Sequence, residues 1–373
     1  MPSKVERAWA EVSLSALSHN MRLLRRSHNG RAVIAVVKAD AYGHGAVEAA
    51  RIFEREGVDL LAVASLEEGL ELRRAGIVTP TLLLGAYTAD ECRDILESGL
   101  IASVSGYELA AALACEARKL EMRAPIHIEV DTGMGRMGVP AERAIETVER
   151  ISMLPTLDLK GIYTHFAESE CEDKTFTLHQ ANEFRRILAT LAAMGVPFRY
   201  QHAANSAACL EVPEGIFNCM RPGIALYGLH PGRRAPGDKG LRPAMKFSAR
   251  VKFLEDHRAG KTIGYNRTHR LRRDTRLAVI SAGYADGYDR RFSDSACVLI
   301  AGRYAPVVGR ISMDLTSVDV TDVPGVKPGD EAVLFSNDPA APNSVERLAE
   351  LAGTIPHVLT CGVSRRVGRI YTP

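Results

Sequence analysis

Eight short apolar strands, each followed by a stretch of helical character, fill the first two thirds of this chain, and that alternation narrows its folds more than any other feature. The strands read as residues 32–37, 60–64, 81–84, 101–104, 126–130, 157–164, 198–202 and 217–221. Between them lie segments rich in alanine, leucine and glutamate, such as Ser65-Leu66-Glu67-Glu68-Gly69-Leu70-Glu71-Leu72. Eight strands predict a closed parallel (β/α)8 barrel of the TIM type. The alternative, an open doubly wound sheet, usually has fewer strands and a Gly-x-Gly-x-x-Gly turn after the first, which is absent here. Past Arg233-Arg234-Ala235-Pro236-Gly237-Asp238-Lys239-Gly240, a charged linker, the pattern changes. Strands near 279–281, 297–300, 305–308, 316–320 and 332–335 follow one another across short turns, which predicts a second, mainly β domain. The expected division is a barrel over 12–239 and a β domain over 240–373, with 1–11 packed on the latter.

Charge and cysteine usage bound the partners. The 47 lysines and arginines nearly balance 45 aspartates and glutamates, so no net field gathers nucleic acid or an acidic membrane. Small molecules are the expected partners. No apolar leader follows Met1 and no segment approaches the ~18 apolar residues of a membrane span, which gives a cytoplasmic expectation. The seven cysteines are scattered and include no Cys-x-x-Cys pair, so they read as packing residues and no metal site is expected.

Chemistry enters at the strand ends. Lys38 closes the first apolar run just where the chain breaks into a loop carrying Tyr42, Gly43 and Gly45. At a barrel rim, partial burial disfavours the ammonium and frees the amine to attack an aldehyde. In such barrels phosphates often sit on the loops after strands seven and eight. There His202-Ala203-Ala204-Asn205-Ser206-Ala207 offers a hydroxyl and backbone N–H groups before a helical turn, and Arg221-Pro222-Gly223-Ile224 offers further amides. Singly these are a solvent-facing lysine, an N-cap serine and a turn; together they form a phosphate cradle at one barrel end.

Several strings carry a resemblance over essentially the whole chain. They are Val36-Val37-Lys38-Ala39-Asp40-Ala41-Tyr42-Gly43-His44-Gly45, Val130-Asp131-Thr132-Gly133-Met134-Gly135-Arg136-Met137-Gly138, Tyr163-Thr164-His165-Phe166-Ala167, Arg221-Pro222-Gly223, Gly264-Tyr265-Asn266, Ser281-Ala282-Gly283-Tyr284-Ala285-Asp286-Gly287 and Ile311-Ser312-Met313-Asp314-Leu315-Thr316. The chain thereby resembles the alanine racemases. The resemblance implies a pyridoxal 5′-phosphate (PLP) enzyme that interconverts L- and D-alanine and supplies D-alanine for peptidoglycan. It implies that Lys38 holds PLP, that Tyr42, Ser206, Gly223 and Ile224, with Asn205 beside them, hold its phosphate, that His165 stacks on its ring and that Arg221 faces the pyridine nitrogen. Tyr265 is implied as the second catalytic acid/base, and Met313 as a backbone donor to the substrate carboxylate. Arg136 would pair with that carboxylate and with the cofactor's phenolate oxygen, Tyr284 would narrow the entrance, and Asp314 would stand behind Met313. The family is dimeric, so Tyr265 and Met313 would reach the PLP of the partner subunit.

That constellation has its own physical logic. Racemisation removes a proton from one face of Cα and returns it on the other, so two bases are required. A phenol with an ordinary pKa near ~10 needs cationic neighbours to act as one, and His165 and Arg221 would supply them. An arginine at the pyridine nitrogen keeps it unprotonated and makes PLP a weaker electron sink. A racemase for serine or a broader set of amino acids stays open, because pocket size around a methyl group is not legible in sequence. A PLP-dependent decarboxylase would bring a cysteine-bearing C-terminal site that is not seen here. A non-catalytic PLP carrier would need neither the β domain nor Tyr265.

Two positions depart from the family's usual residues. His357, in Thr354-Ile355-Pro356-His357-Val358, stands where a tyrosine helps narrow the entrance, which implies a reshaped, pH-responsive gate. Glu129 stands where many members carry a lysine whose carbamate braces the arginine matching Arg136; a built-in carboxylate is expected to take that role.

Overall fold

The computed structural model describes residues 7–232 and 240–373; the sequence readings at 1–6 and at the linker residues 233–239 lie outside the described residues. Two compact units emerge, one of Met21–Ala41 and Ala46–Leu226, the other of Met1–Asn20, Tyr42–Gly45 and Tyr227–Pro373. Among the described residues no helix is long and apolar enough to cross a membrane.

In the first unit the strands Ala32–Val36, Leu60–Val63, Thr81–Leu83, Leu100–Val104, Ala124–Asp131, Leu157–Tyr163, Tyr200–His202 and Cys219–Met220 each pair in parallel with the next. The last returns to the first, Cys219 opposite Ala32 and Met220 opposite Val33, and so closes the barrel as expected. The strands form because their side chains have apolar partners on both faces. Val33, Ile34, Leu60, Leu61, Leu82 and Leu83 are fully buried, each contributing about 1.5–3 kcal/mol. The covering helices present matching stripes: Tyr107–Lys119 buries Ala110, Leu113, Ala114 and Ala117, one face at helical spacing.

The second unit is built on the 13-residue strand Met245–His257. Ala8–Ser13 lies antiparallel to it with Gly368–Thr372 parallel beyond, while Glu331–Phe335, Cys297–Ile300 and Arg303–Pro306 extend the sheet on the other side. The far half of the long strand takes Thr275–Ile280 and then Thr316–Asp319. Sequence reading missed the long strand because charged residues interrupt every apolar run. Its first half instead alternates, with Met245, Phe247, Ala249 and Val251 buried at every second position. Phe247 meets Phe335 edge-on at 5.3 Å, and Tyr288 packs on Phe292 at 5.0 Å beside them.

Candidate active site

Lys38 begins a loop whose shape is imposed on it. Val37 is still tied to the barrel, donating its N–H to the Ala62 carbonyl at 2.8 Å. Ala39, Asp40, Ala41 and Tyr42 then all take left-handed backbone, with φ of 52, 52, 53 and 54°. Each costs an L-residue roughly 1–2 kcal/mol, so neighbours must enforce the turn. Glu68 accepts from the N–H groups of Ala39 and Ala64, both at 2.7 Å, and Asp40 accepts from Ala46 at 2.8 Å. The half-buried Lys38 is thereby held at a strand end.

In the same unit Arg221, buried just past the last strand, donates to the Thr164 carbonyl at 3.0 Å, to His165 Nδ1 at 2.9 Å and to His202 Nδ1 at 2.5 Å. A guanidinium only donates, so both ring nitrogens accept and both histidines are neutral there. Burial first, and then the charge of Arg221, hold His165 and His202 well below the usual histidine range; Arg136 and Lys38 add to the effect on His165. The second nitrogen of His202 meets His127 Nδ1 at 2.9 Å, and burial pushes His127 down to about 3. Tyr163 stacks flat on His202 with ring centres 4.8 Å apart and lies under the Arg221 guanidinium at 5.0 Å. His165 and Arg221 thus come together, while His202, His127 and Tyr163 were not singled out in sequence. A signal was available for His127, a polar side chain between Ile126 and Ile128 in a buried strand, whereas His202 ends the polar strand Tyr200-Gln201-His202 and carries none.

Glu129 is buried beside this group, accepting from the Tyr163 hydroxyl and from Ser105 Oγ at 3.4 Å. Burial raises its carboxyl, opposed by Arg221, by the Tyr163 bond and by Arg136. Arg136 acts on it through charge, and among the described residues the two form no direct ion pair. Arg136 rides on an exposed loop that Asp131 folds, its Oδ1 accepting from Gly133 and Met134 at 2.8 Å and from Gly135 at 3.2 Å. Gly138 closes that loop at φ 113°, where a Cβ would stand 2.8 Å from the Asp131 nitrogen.

Four of the expected phosphate residues, Asn205, Ser206, Gly223 and Ile224, lie together in this unit, while Tyr42 belongs to the other. Ser206 Oγ accepts from the N–H of Gly223 at 2.8 Å and of Ala225 at 3.2 Å, and Asn205 caps the short helix behind it, accepting from Ala208 at 3.0 Å. The buried Ile224 N–H between those two donors has no acceptor among the described residues.

In the second unit Tyr265, 63% exposed, stands on a turn opened by Gly264 at φ 75°, where a Cβ would lie 2.8 Å from the Arg310 nitrogen. The Tyr284 N–H donates to the Ser312 carbonyl at 3.1 Å and the Ala285 N–H to the Met313 carbonyl at 3.0 Å. Tyr265, Tyr284 and Met313 are therefore exposed side chains on adjoining turns. Tyr42 is buried against Tyr227 at 5.1 Å and against the His357 ring at 5.8 Å.

Comparison with known proteins follows the same two-part organisation. The family model for the alanine racemase N-terminal domain matches residues 12–231, and that for the alanine racemase C-terminal domain matches residues 244–371. An alanine racemase of Desulforamulus reducens is 42% identical over 371 residues, spanning 98% of this chain and 99% of that protein. The crystal structure of the alanine racemase from D-cycloserine-producing Streptomyces lavendulae superposes with a TM-score of 0.94 at 34% identity, over 100% of this chain and 98% of that one. The Bartonella henselae alanine racemase, solved with covalently bound pyridoxal phosphate, gives a TM-score of 0.88 at 30% identity, over 98% and 100%.

Proposed function

Because this chain belongs to the alanine racemase family, we propose that it interconverts L- and D-alanine with Lys38 and Tyr265 as bases on opposite faces of the substrate's Cα. Its cofactor is pyridoxal phosphate, and the residues present fit that group. The buried Ile224 N–H and the Ser206 hydroxyl supply donors to a phosphate, Lys38 stands in the same unit, and Arg221 offers a fixed cation to a ring nitrogen. When bound, PLP draws electron density from Cα and acidifies its proton.

Everything else falls to this chain's own groups. Lys38 Nζ exchanges the proton on one face and the Tyr265 hydroxyl on the other. Arg221, oriented by two neutral histidines and the Thr164 carbonyl, holds the pyridine nitrogen without a proton. The Met313 N–H and Arg136 bind the substrate carboxylate. Glu129 supplies the carboxyl group between Arg136 and Arg221, linked through Tyr163. His357, beside the Tyr42 ring, steadies the phosphate side as well as shaping the entrance. Tyr265 and Met313 serve the barrel of a second copy in a homodimer, a reading supported by their exposure on adjoining turns. The product D-alanine would feed peptidoglycan in the cytoplasm.

The observation that carries the reading is a lysine fixed at a barrel strand end by a left-handed turn, in one unit with Arg221, His165 and Ser206. The purified, PLP-loaded protein should form D-alanine from L-alanine, and Lys38→Ala should lose both that activity and the absorbance of the lysine-bound cofactor. A wild type that binds PLP yet racemises nothing would favour the carrier reading instead.

A further inference from the structure

Behind the Met313 turn lies a charged cluster that the chemistry above does not use. Asp286 is fully buried, and its carboxylate is held by three groups. Arg7 grips it with both Nη atoms, at 2.6 Å to Oδ1 and 3.0 Å to Oδ2; Arg366 Nε reaches Oδ1 at 3.1 Å; the Gly283 N–H donates to Oδ2 at 2.9 Å. Both arginines also take hold of Asp314. Arg7 Nη2 donates to the Asp314 carbonyl at 3.0 Å, and Arg366 Nη2 pairs with Asp314 Oδ1 at 2.6 Å. Arg7 is itself anchored, its carbonyl accepting from the Arg250 N–H at 2.9 Å and from Ser281 Oγ at 2.7 Å.

Stability alone does not call for such a cluster, since desolvating a carboxylate and guanidinium groups offsets most of their attraction. Its geometric effect is specific. The 312–315 turn is closed by the Ser312 N–H on the Leu315 carbonyl at 3.0 Å and docked by Tyr284 and Ala285 on the carbonyls of Ser312 and Met313. Those bonds occupy the carbonyls and leave the Met313 and Asp314 N–H groups with no acceptor among the described residues. Gly283 permits the docking, because a Cβ there would lie 2.2 Å from the Ser312 carbonyl oxygen.

We propose that Arg7, Asp286 and Arg366 are positioning residues that lock the 312–315 turn with its free amides aimed at the substrate carboxylate. The inference rests on the functional reading above, which supplies the ligand. Two variants test it in the PLP-loaded protein. Arg366→Met removes the outer guanidinium, while Arg366→Lys keeps a cation within reach of Asp314. Arg366→Met should keep kcat and the thermal midpoint near wild type. The KM for both alanine enantiomers, and the calorimetric Kd for propionate, a substrate-like carboxylate without the amine, should each rise about tenfold, with partial recovery in Arg366→Lys. Asp314→Asn breaks the same pair from the other side and decides the case if Arg366→Met does not fold. Unchanged KM and propionate Kd would overturn the proposal, as would a joint fall of kcat and midpoint that lysine does not rescue. A wild type that fails to racemise alanine would sink the functional reading instead, and the propionate ratio between wild type and Arg366→Met would still decide this one.

Discussion

Two single residues give sharp tests. His127 titrates at about 3 in the folded chain because it is buried, against about 6.5 when unfolded. A depressed value means the folded state resists protonation, so its stability is full above the unfolded value and is lost as pH falls through that window. The slope reaches about 1.4 kcal/mol per pH unit for each such histidine. His127→Gln keeps a polar side chain that does not titrate, so its thermal midpoint should decline less steeply below ~pH 6.5 than that of the wild type; parallel declines would place the acid sensitivity elsewhere. Tyr265→Phe addresses the other end of the chemistry. Removing one general base should cost about 10²–10⁴-fold, and far more for proton loss from L-alanine than from D-alanine, read as exchange of each enantiomer with deuterated solvent. Equal losses would mean that the two faces are misassigned.

Elements explain how those residues come to stand where they do. The loop after Cys219–Met220 and the helix Ser206–Glu211 are joined through one oxygen, Ser206 Oγ, which satisfies two buried N–H groups. Ser206→Ala leaves both donors unpaired, at about 1–3 kcal/mol each, so the cofactor-free protein should melt earlier and equilibrium dialysis should show weaker PLP retention. Retention equal to wild type would remove Ser206 from the phosphate site. The strand Ala124–Asp131 gives a second test, because Glu129 reaches Arg136 across space while bonding Tyr163. Glu129→Gln should raise the KM for alanine, and wild-type rates should be the same with and without bicarbonate. A bicarbonate requirement would contradict a built-in carboxylate.

On the scale of the whole molecule, the proposal that a second copy completes the site has a simple consequence: Lys38→Ala and Tyr265→Phe chains, each impaired alone, should regain activity in heterodimers when mixed and allowed to exchange. No recovery after verified exchange would mean that each site is built within one chain. The barrel itself was legible from sequence, since its strands are nearly continuous apolar runs whose burial needs only local composition. The positions of Lys38, Ser206 and Gly223 at a strand end, a helix start and a loop were legible too, because such places can be read from the residues on either side. The spine Met245–His257 was not, its alternation being masked by charges that face outward. Nor could sequence pair His127 with His202, 75 residues on, or Arg7 with Asp286, 279 residues on. No period links such positions. Only the closure of the barrel and the stacking of strands from both chain ends into one sheet bring those groups within hydrogen-bonding distance, and there burial sets which of them stay neutral and which stay charged.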